Sequence, residues 1–196
     1  MAVGVVLEFP GTTAQQYDEV CSLMGLTPRG PGPRGALFHW AAAQDGGMLI
    51  NDVWRDKERV EEFARDEIGP HTQQAGITQP PKTTFYDIHN YFTAGDITST
   101  GSEVAVVMEF AADLDQYDEV VDLMGFDKGG RGAEGGLFHW AAPIQGGVRI
   151  TDVWQDKETF ERFSQEHIGP YSAKAGVQPP TSVVFHDVYN FFTEGS

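Results

Sequence analysis

The chain repeats itself at a spacing of 100 residues, which becomes 101 before the first helix, and this duplication limits the possible folds more than any other feature of the sequence. The stretch from Gly35 to Phe63 contains Phe-His-Trp, a glycine pair, a run ending Asp-Val-Trp and then Asp-Lys-Glu; the stretch from Gly135 to Phe163 contains the same groups in the same order. Two such copies indicate a duplication rather than a solenoid. We predict ferredoxin-like repeats at 1–93 and 104–196, joined by a Gly/Ser/Thr-rich linker at 94–103.

The first half of each repeat predicts a strand, a helix and a hairpin. Apolar residues alternate from Val3 to Phe9, which is typical of a strand with one buried face. Thr13 and Gln16 have the spacing of a capping box that opens a helix, and Asp113 with Gln116 repeats it. After a loop rich in glycine and proline, the pair Gly46-Gly47 favours a hairpin between two further strands.

The second half of each repeat adds a helix and a strand. Asp56 is a preferred capping residue for the second helix, which we predict to stop at Gly69-Pro70. The last strand is predicted from Thr83 to Phe92. The order βαββαβ is the ferredoxin-like motif, an antiparallel sheet with helices on one face, so the sequence predicts an α+β fold.

The acidic composition limits the classes of partner. Asp and Glu number 29 against 13 Lys and Arg, for a net charge of −16, whereas nucleic-acid binders usually present a basic patch. The N-terminal residues resemble a strand rather than a signal peptide, and no stretch approaches the roughly 20 apolar residues that cross a bilayer. We expect a cytoplasmic protein with no nucleic-acid or membrane partner. Cys21 is predicted to be a small core residue, because Val121 is its counterpart.

Three motifs resemble the dimeric α/β-barrel superfamily, which includes the antibiotic biosynthesis monooxygenases. They are the strand ending Asp-Val-Trp, the Asp-Lys-Glu that opens a Phe-centred helix, and the Ile-Gly-Pro at 68–70 and 168–170. The resemblance covers both repeats. It implies that the two antiparallel sheets pack into one intrachain pseudo-dimeric α/β barrel with a ligand cavity in each half, as a monomer or as a further homodimer.

Glutamate and histidine supply the first catalytic candidates. Glu8 and Glu109 lie on strands whose other face is apolar, so we predict that they point away from the helices, where burial would raise the carboxyl pKa. A solvated or salt-bridged carboxylate is the alternative. His39 and His139 lie mid-strand between Phe and Trp and could take a proton from an acidic phenol or enol. A core histidine bonded to a backbone carbonyl is the alternative.

Asp52 and Asp152 complete the catalytic candidates. Each precedes a tryptophan by two residues and so shares a strand face with it, where it could orient a histidine or hold a polar ligand group. A bond to a loop amide or an arginine is the alternative. The tryptophans are candidates for substrate binding, or else simply for the core and cavity wall; they are Trp40, Trp140, Trp54 and Trp154.

Histidine and tyrosine exchange at three matched positions, and each exchange keeps a ring with a polar tip while changing its pKa. We predict that these rings bind substrate and make the two cavities chemically unequal; surface drift is the alternative. The matched pairs are His71 with Tyr171, Tyr86 with His186, and His89 with Tyr189.

These candidates and the resemblance together favour a small-molecule-binding protein of natural-product, polyketide-type metabolism. Our first hypothesis is a cofactor-independent monooxygenase or cyclase acting on an apolar aromatic substrate. A non-catalytic ligand-binding, carrier or resistance protein, or a barrel with no dedicated ligand, could use the same architecture. No local ligand spacing predicts a metal, and the glycine-rich loops lack the lysine of a P-loop, so we expect neither metal nor cofactor.

Overall fold

The computed structural model describes residues 1–94 and 97–195. Gly95 and Asp96, which belong to the predicted linker, lie outside the described residues. The chain forms two compact units, each built on one sheet. Unit 1 consists of Met1–Asp87 and the C-terminal residues from Val188, and unit 2 runs from Ile88 to Asp187.

The elements follow the predicted order with two differences: a short strand forms at Pro31–Arg34 inside the predicted Gly/Pro-rich loop, and the last strand of each repeat is divided in two. The first repeat contains β1 (Val3–Pro10), α1 (Ala14–Leu23), β2 (Pro31–Arg34), β3 (Ala36–Gln44), β4 (Gly47–Trp54), α2 (Lys57–Phe63), a π-helical turn (Ala64–Ile68), α3 (Gly69–Gln74), β5 (Lys82–Asp87) and β6 (Asn90–Thr93). The second repeat contains β7 (Val104–Phe110), α4 (Leu114–Met124), β8 (Gly136–Ile144), β9 (Gly147–Trp154), α5 (Lys157–Phe163), a π-helical turn (Ser164–Ile168), α6 (Gly169–Lys174), β10 (Ser182–Asp187) and β11 (Asn190–Gly195). In the described part of the chain, no helix has the length and apolar character needed to span a membrane.

The strand order confirms the α+β, ferredoxin-like prediction. The sheet of unit 1 has the order β2-β11-β3-β4-β1-β5, and the sheet of unit 2 has the order β10-β7-β9-β8-β6. Neighbouring strands are antiparallel, except that β11 runs parallel to β2. In each sheet the four strands of the βαββαβ motif lie side by side, and one short strand from the other repeat is added beside them. In unit 1, β2 pairs in turn with that added strand.

The added strand comes from the other repeat, so the prediction of one strand from Thr83 to Phe92 is wrong. β5 ends at Asp87 in unit 1, and β6 pairs with β8 in unit 2, with Phe92 opposite His139. In the same way β11 pairs with β3, with Phe192 opposite His39. Each addition satisfies backbone groups that an edge strand would leave unpaired. The units therefore have different bounds from the sequence repeats.

The first helix of each repeat begins as predicted, whereas the second helix does not stop where expected. Thr13 and Asp113 form capping boxes with Gln16 and Gln116. Gly69 does not end its helix: its N–H bonds to the Ala64 carbonyl across a π-helical turn, and the chain continues as α3. Proline lacks an N–H and clashes with the preceding turn of a regular helix, and a local π-helical turn accommodates that mismatch.

The strand phase, which the sequence left open, is decided by packing against the helices. In unit 1 the buried cluster on the helix side joins Tyr17 and Cys21 of α1 to Ile50 and Trp54 of β4. Asp52 lies on the same face as Trp54, because alternate residues of a strand share a face. His39 is directly opposite Asp52 in the β3–β4 pair and so shares that face. Trp40 lies on the opposite face.

Candidate active site

In unit 2, four side chains form a continuous hydrogen-bonded chain, here called the unit 2 relay. The Tyr117 Oη lies 2.8 Å from His139 Nε2, and His139 Nδ1 lies 2.6 Å from Asp152 Oδ1. The Asn90 Nδ2 donates to Tyr117 Oη at 3.1 Å. The fold therefore brings a phenol, an imidazole and a carboxylate that can orient it into direct hydrogen bonding.

Unit 1 contains the same arrangement, here called the unit 1 relay. The Tyr17 Oη lies 2.8 Å from His39 Nε2, and His39 Nδ1 lies 2.6 Å from Asp52 Oδ1. The Asn190 Nδ2 donates to Tyr17 Oη at 2.9 Å. The two repeats therefore share the geometry of the relay as well as its residue types.

Each relay depends on four elements: the two strands of a hairpin, a helix and an added strand. The histidine and the aspartate are cross-strand neighbours of a hairpin, which holds their side chains together. The tyrosine comes from the first helix. The asparagine comes from the strand added by the other repeat, and its carbonyl is fixed by a loop N–H: Gly129 binds Asn90 and Arg29 binds Asn190, each at 3.1 Å.

The bonding pattern assigns the protons of the relay. A carboxylate only accepts, so the histidine donates from Nδ1 to the aspartate, and its Nε2 accepts from the tyrosine O–H. Burial raises the pKa of Tyr17 and Tyr117 well above the ordinary phenol value, and the hydrogen bonds from the asparagines offset this only in part. Both tyrosines are therefore neutral O–H donors at neutral pH.

An apolar cavity of about 90 Å³ lies between the sheet and the helices of unit 2, and the unit 2 relay opens onto it. Tyr117, His139 and Asp152 line it, together with Trp154 and a majority of aliphatic and aromatic side chains. The indole N–H of Trp154 is buried and has no hydrogen-bond partner among residues 1–94 and 97–195. Buried donors are normally satisfied, which makes this N–H a candidate donor to a ligand.

A cleft of about 480 Å³ adjoins this cavity. The two share Met124, Phe126, Gly132, Ala133 and Phe163 in their walls. The outer wall of the cleft is polar and includes Glu134, Arg162, Glu166 and His167. Because pockets for drug-sized ligands measure about 300–1,000 Å³, the cavity alone is too small for one, and the cleft and cavity together are large enough.

The predicted glutamates lie in ion pairs apart from the relays. Glu8 accepts from Lys82 Nζ at 2.8 Å, and its side chain is 43% exposed. Glu109 accepts from Arg149 at 3.0 Å and is 37% exposed. This is the salt-bridged arrangement given above as the alternative to an acid–base role.

The tryptophans divide between the two faces of their sheets. Trp54 and Trp154 pack on the helix side, against Phe63 and Phe163 respectively. Trp40 and Trp140 are fully buried, and Trp140 does not belong to the cavity wall.

Of the exchanged rings, one pair lies beside the relays. His89 packs edge-on against Tyr117, and its Nε2 lies 2.8 Å from Asp118 Oδ1. Tyr189 packs in the same way against Tyr17 and donates to Asp18 at 2.6 Å. The remaining rings have other surroundings: His71 lies 3.5 Å from Glu67, Tyr171 stacks on His167, and Tyr86 and His186 lie on the outer strands β5 and β10. Burial, aided by nearby Arg149, lowers the pKa of His186.

Four relay residues were not among the sequence candidates: Tyr17, Tyr117, Asn90 and Asn190. The sequence contains a signal for them, because the tyrosine and the asparagine of one relay each recur 100 residues away in the other. At its position in the first helix, each tyrosine is also explained by packing alone, which gives its hydroxyl group no separate signal. Within the described residues, no group of three or more His, Cys, Asp or Glu could hold a metal ion. Burial raises the pKa of Cys21 to about 11, so it remains a thiol.

Proteins of known structure share this fold. The chain is similar to a proposed monooxygenase from Fusobacterium nucleatum subsp. nucleatum ATCC 25586, with a TM-score of 0.71 and 11% identity over 100% of this chain and 95% of that one. It is also similar to a proposed monooxygenase from Lactobacillus acidophilus NCFM, with a TM-score of 0.65 and 11% identity over 99% of this chain and 97% of that one. No protein-family model and no curated protein matches the sequence. At such identity the likeness shows the ferredoxin-like fold alone.

Proposed function

We propose that the protein binds a small apolar aromatic molecule in unit 2 and exchanges protons with it through the unit 2 relay, as a cofactor-independent monooxygenase or cyclase. One observation carries this proposal: Tyr117, His139 and Asp152 belong to the wall of one apolar cavity together with Trp154, whose indole N–H has no partner among the described residues. A proton acceptor and a donor for a developing oxyanion are the two groups that enolisation requires.

In the proposed reaction Tyr117 is the group that meets the substrate. As the substrate gives a proton to Tyr117 Oη, the phenol proton passes to His139 Nε2, and Asp152 stabilises the imidazolium that forms. Asn90 holds the phenol oxygen in place. In a monooxygenase the enolate adds to dioxygen and takes up the relay proton to give a hydroperoxide, which loses water to leave a new carbonyl group. In a cyclase the enolate adds to a carbonyl of the same molecule, whose oxygen takes up that proton.

The proposed substrate lies partly in the cavity and partly in the cleft. A cavity of about 90 Å³ takes only the reacting edge of an aromatic molecule, while the remaining rings occupy the cleft beside Phe126 and Phe163. We propose, on the family resemblance, that this substrate belongs to polyketide-type natural-product metabolism in the cytoplasm. The same resemblance supports closure of the sheets into an intrachain barrel. The proteins of similar fold are described as proposed monooxygenases, which favours the oxygenase over the cyclase.

A non-catalytic carrier or resistance protein is the second candidate. Both ring nitrogens of His139 already have partners within the protein, and Tyr117 Oη already bonds to two side chains. A relay that is fully satisfied before any ligand arrives also suits a rigid polar wall with no chemical role.

Tyr117→Phe tests the proposal, with Tyr17→Phe as the matched control in unit 1. The probes are 2-naphthol and 2-tetralone, an acidic phenol and an enolisable ketone. Thermal shift reports binding, and mass spectrometry of aerobic reactions reports conversion. We expect Y117F to bind the probes with unchanged affinity and to lose conversion by about 10²–10⁴-fold, while Y17F retains both.

The outcomes separate the two candidates. Conversion that survives in Y117F contradicts proton transfer through the relay. If the wild-type protein is stabilised by the probes but returns them unchanged, the carrier is correct. If neither probe shifts the melting temperature, the proposed substrate class is wrong.

A further inference from the structure

We propose that the outer strand of unit 2, β10, is a homodimerisation edge on which a second copy of this chain adds its own β10 in antiparallel orientation. This proposal is independent of the proposed function. It concerns a surface that neither the relay nor the cavity uses.

The first observation is the exposure of β10. This strand is the last in its sheet and pairs with β7 on one side only. Three consecutive apolar residues are open to solvent: Val183 is 43% exposed, Val184 is 44% and Phe185 is 38%. A flat apolar edge of this kind is a template for pairing with another strand, and soluble proteins usually avoid one.

The second observation is the contrast with β5, the corresponding outer strand of unit 1. At the matched positions β5 has Lys82, Thr83 and Thr84, where β10 has Ser182, Val183 and Val184. Lys82 also holds an ion pair with Glu8 beside this edge. Lysine and polar residues are the usual protection of an edge strand, so unit 1 has a protection that unit 2 lacks.

The third observation is that β10 is complementary to itself. A two-fold axis perpendicular to an antiparallel sheet sets one residue opposite its own copy. Centred on Val184, it places Val183 opposite Phe185 and Ser182 opposite His186, so apolar residues meet at the centre and polar ones outside. Phe185 already rests against Phe160, with Lys157 Nζ 4.8 Å from its ring centre. A partner's valine would cover the remaining exposed edge of that ring.

The distribution of charge also favours β10 as the contact between two copies. A net charge of −16 makes most approaches of two copies repulsive, yet no charged residue occurs from Ala175 through Phe185. One six-residue strand pair is a small interface, below the roughly 1,200 Å² of a standard complex. We therefore expect a dimer that dissociates in the micromolar range and strengthens with added salt, which screens the repulsion.

Sedimentation equilibrium across the micromolar range tests the proposal. Val183→Thr with Val184→Thr gives β10 the residues of β5 and retains β-branched side chains, so the fold is preserved. We expect this double variant to weaken the dimer at least about tenfold through lost apolar burial. Phe85→Thr, which removes an exposed ring from β5, is the control and should leave the dimer unchanged.

Cross-linking tests the register. In the proposed pairing Val184 meets its own copy, so V184C should form an intermolecular disulfide under mild oxidation. S182C should not, because disulfides need Cα atoms within about 7 Å. A wild-type chain that stays monomeric throughout the micromolar range overturns the proposal. So does a dimer that V183T/V184T leaves intact, or cross-linking that is equal at both positions.

Discussion

Single substitutions between the repeats have changed the surroundings of one conserved aspartate. In unit 2, Asp118 accepts from Lys128 Nζ at 2.5 Å and lies 2.8 Å from His89 Nε2. In unit 1, the matched Asp18 accepts the O–H of Tyr189. The same carboxylate position is thus part of a charged cluster beside one relay and of a neutral hydrogen bond beside the other.

This difference leads to a pH-dependent prediction for Asp118→Asn. Burial alone would raise the pKa of Asp118, but the hydrogen bonds from Lys128 and His89 outweigh it and hold that pKa below its usual 3.8. A carboxyl whose pKa is lowered by folding stabilises the fold above the unfolded-state pKa, and this stabilisation is lost as the pH falls through the folded-state pKa. We expect D118N to cost about 1 kcal/mol near neutral pH, and less as the pH approaches 3.

Urea unfolding at a series of pH values measures this effect. Asp18→Asn is the matched control, and we expect a smaller cost with weaker dependence on salt, because its partner is neutral. A cost for D118N that stays constant from neutral pH to pH 3 would show that its charge contributes nothing.

At the scale of elements, one glycine in β8 affects the size of the unit 2 cavity. Gly136 stands where β3 has Ala36, and a methyl group there would lie 3.6 Å from the Trp154 ring and 3.2 Å from the Ala133 carbonyl oxygen. Its backbone φ is not in the left-handed region, so alanine is conformationally allowed. The missing methyl leaves space beside Trp154 in unit 2 that unit 1 fills.

We therefore expect Gly136→Ala to reduce probe binding about tenfold by occupying part of the cavity, while the unfolding free energy falls by up to about 3 kcal/mol because the methyl group crowds the Ala133 carbonyl oxygen. Thermal shift with 2-naphthol measures the first, and urea unfolding measures the second. Ala36→Gly in β3 is the reciprocal control, which should leave binding in unit 2 unaltered. Unchanged affinity in G136A would mean that ligands bind elsewhere.

At the scale of the whole molecule, the exchange of β6 and β11 ties each relay to both repeats. Asn190, which completes the unit 1 relay, follows it by more than one hundred residues in the chain. Phe191 and Phe192 are also fully buried in unit 1. The C-terminal strand therefore stabilises the unit that contains the N-terminus.

A chain truncated after Asp187 tests this arrangement. We expect faster amide exchange in α1 of unit 1, which loses the Asn190 and Phe192 contacts, and near-native exchange in α4 of unit 2. Hydrogen exchange read by mass spectrometry distinguishes the two helices. If α4 loses protection first, the second sequence repeat, 104–196, is the true folding unit.

Much of the architecture could be read from local patterns. Capping boxes, glycine pairs and alternating apolar residues determine helix starts, hairpins and strand faces through neighbours close in sequence, and the duplication doubled each signal. The pairing of His39 with Asp52 could be predicted for the same reason, because the two residues lie on one hairpin. Their partner Tyr17 recurs as Tyr117, but a buried tyrosine on a helix is as easily explained by packing.

The sequence by itself determined the duplication, the βαββαβ order and the acidic surface. Only the tertiary structure decided which strand face meets the helices, that β6 and β11 exchange between sheets, and that tyrosine and asparagine complete each relay. The physical reason is the range of the interactions. Caps and turns act over a few residues, whereas strand pairing and the packing of a sheet against its helices join residues that are distant in the chain.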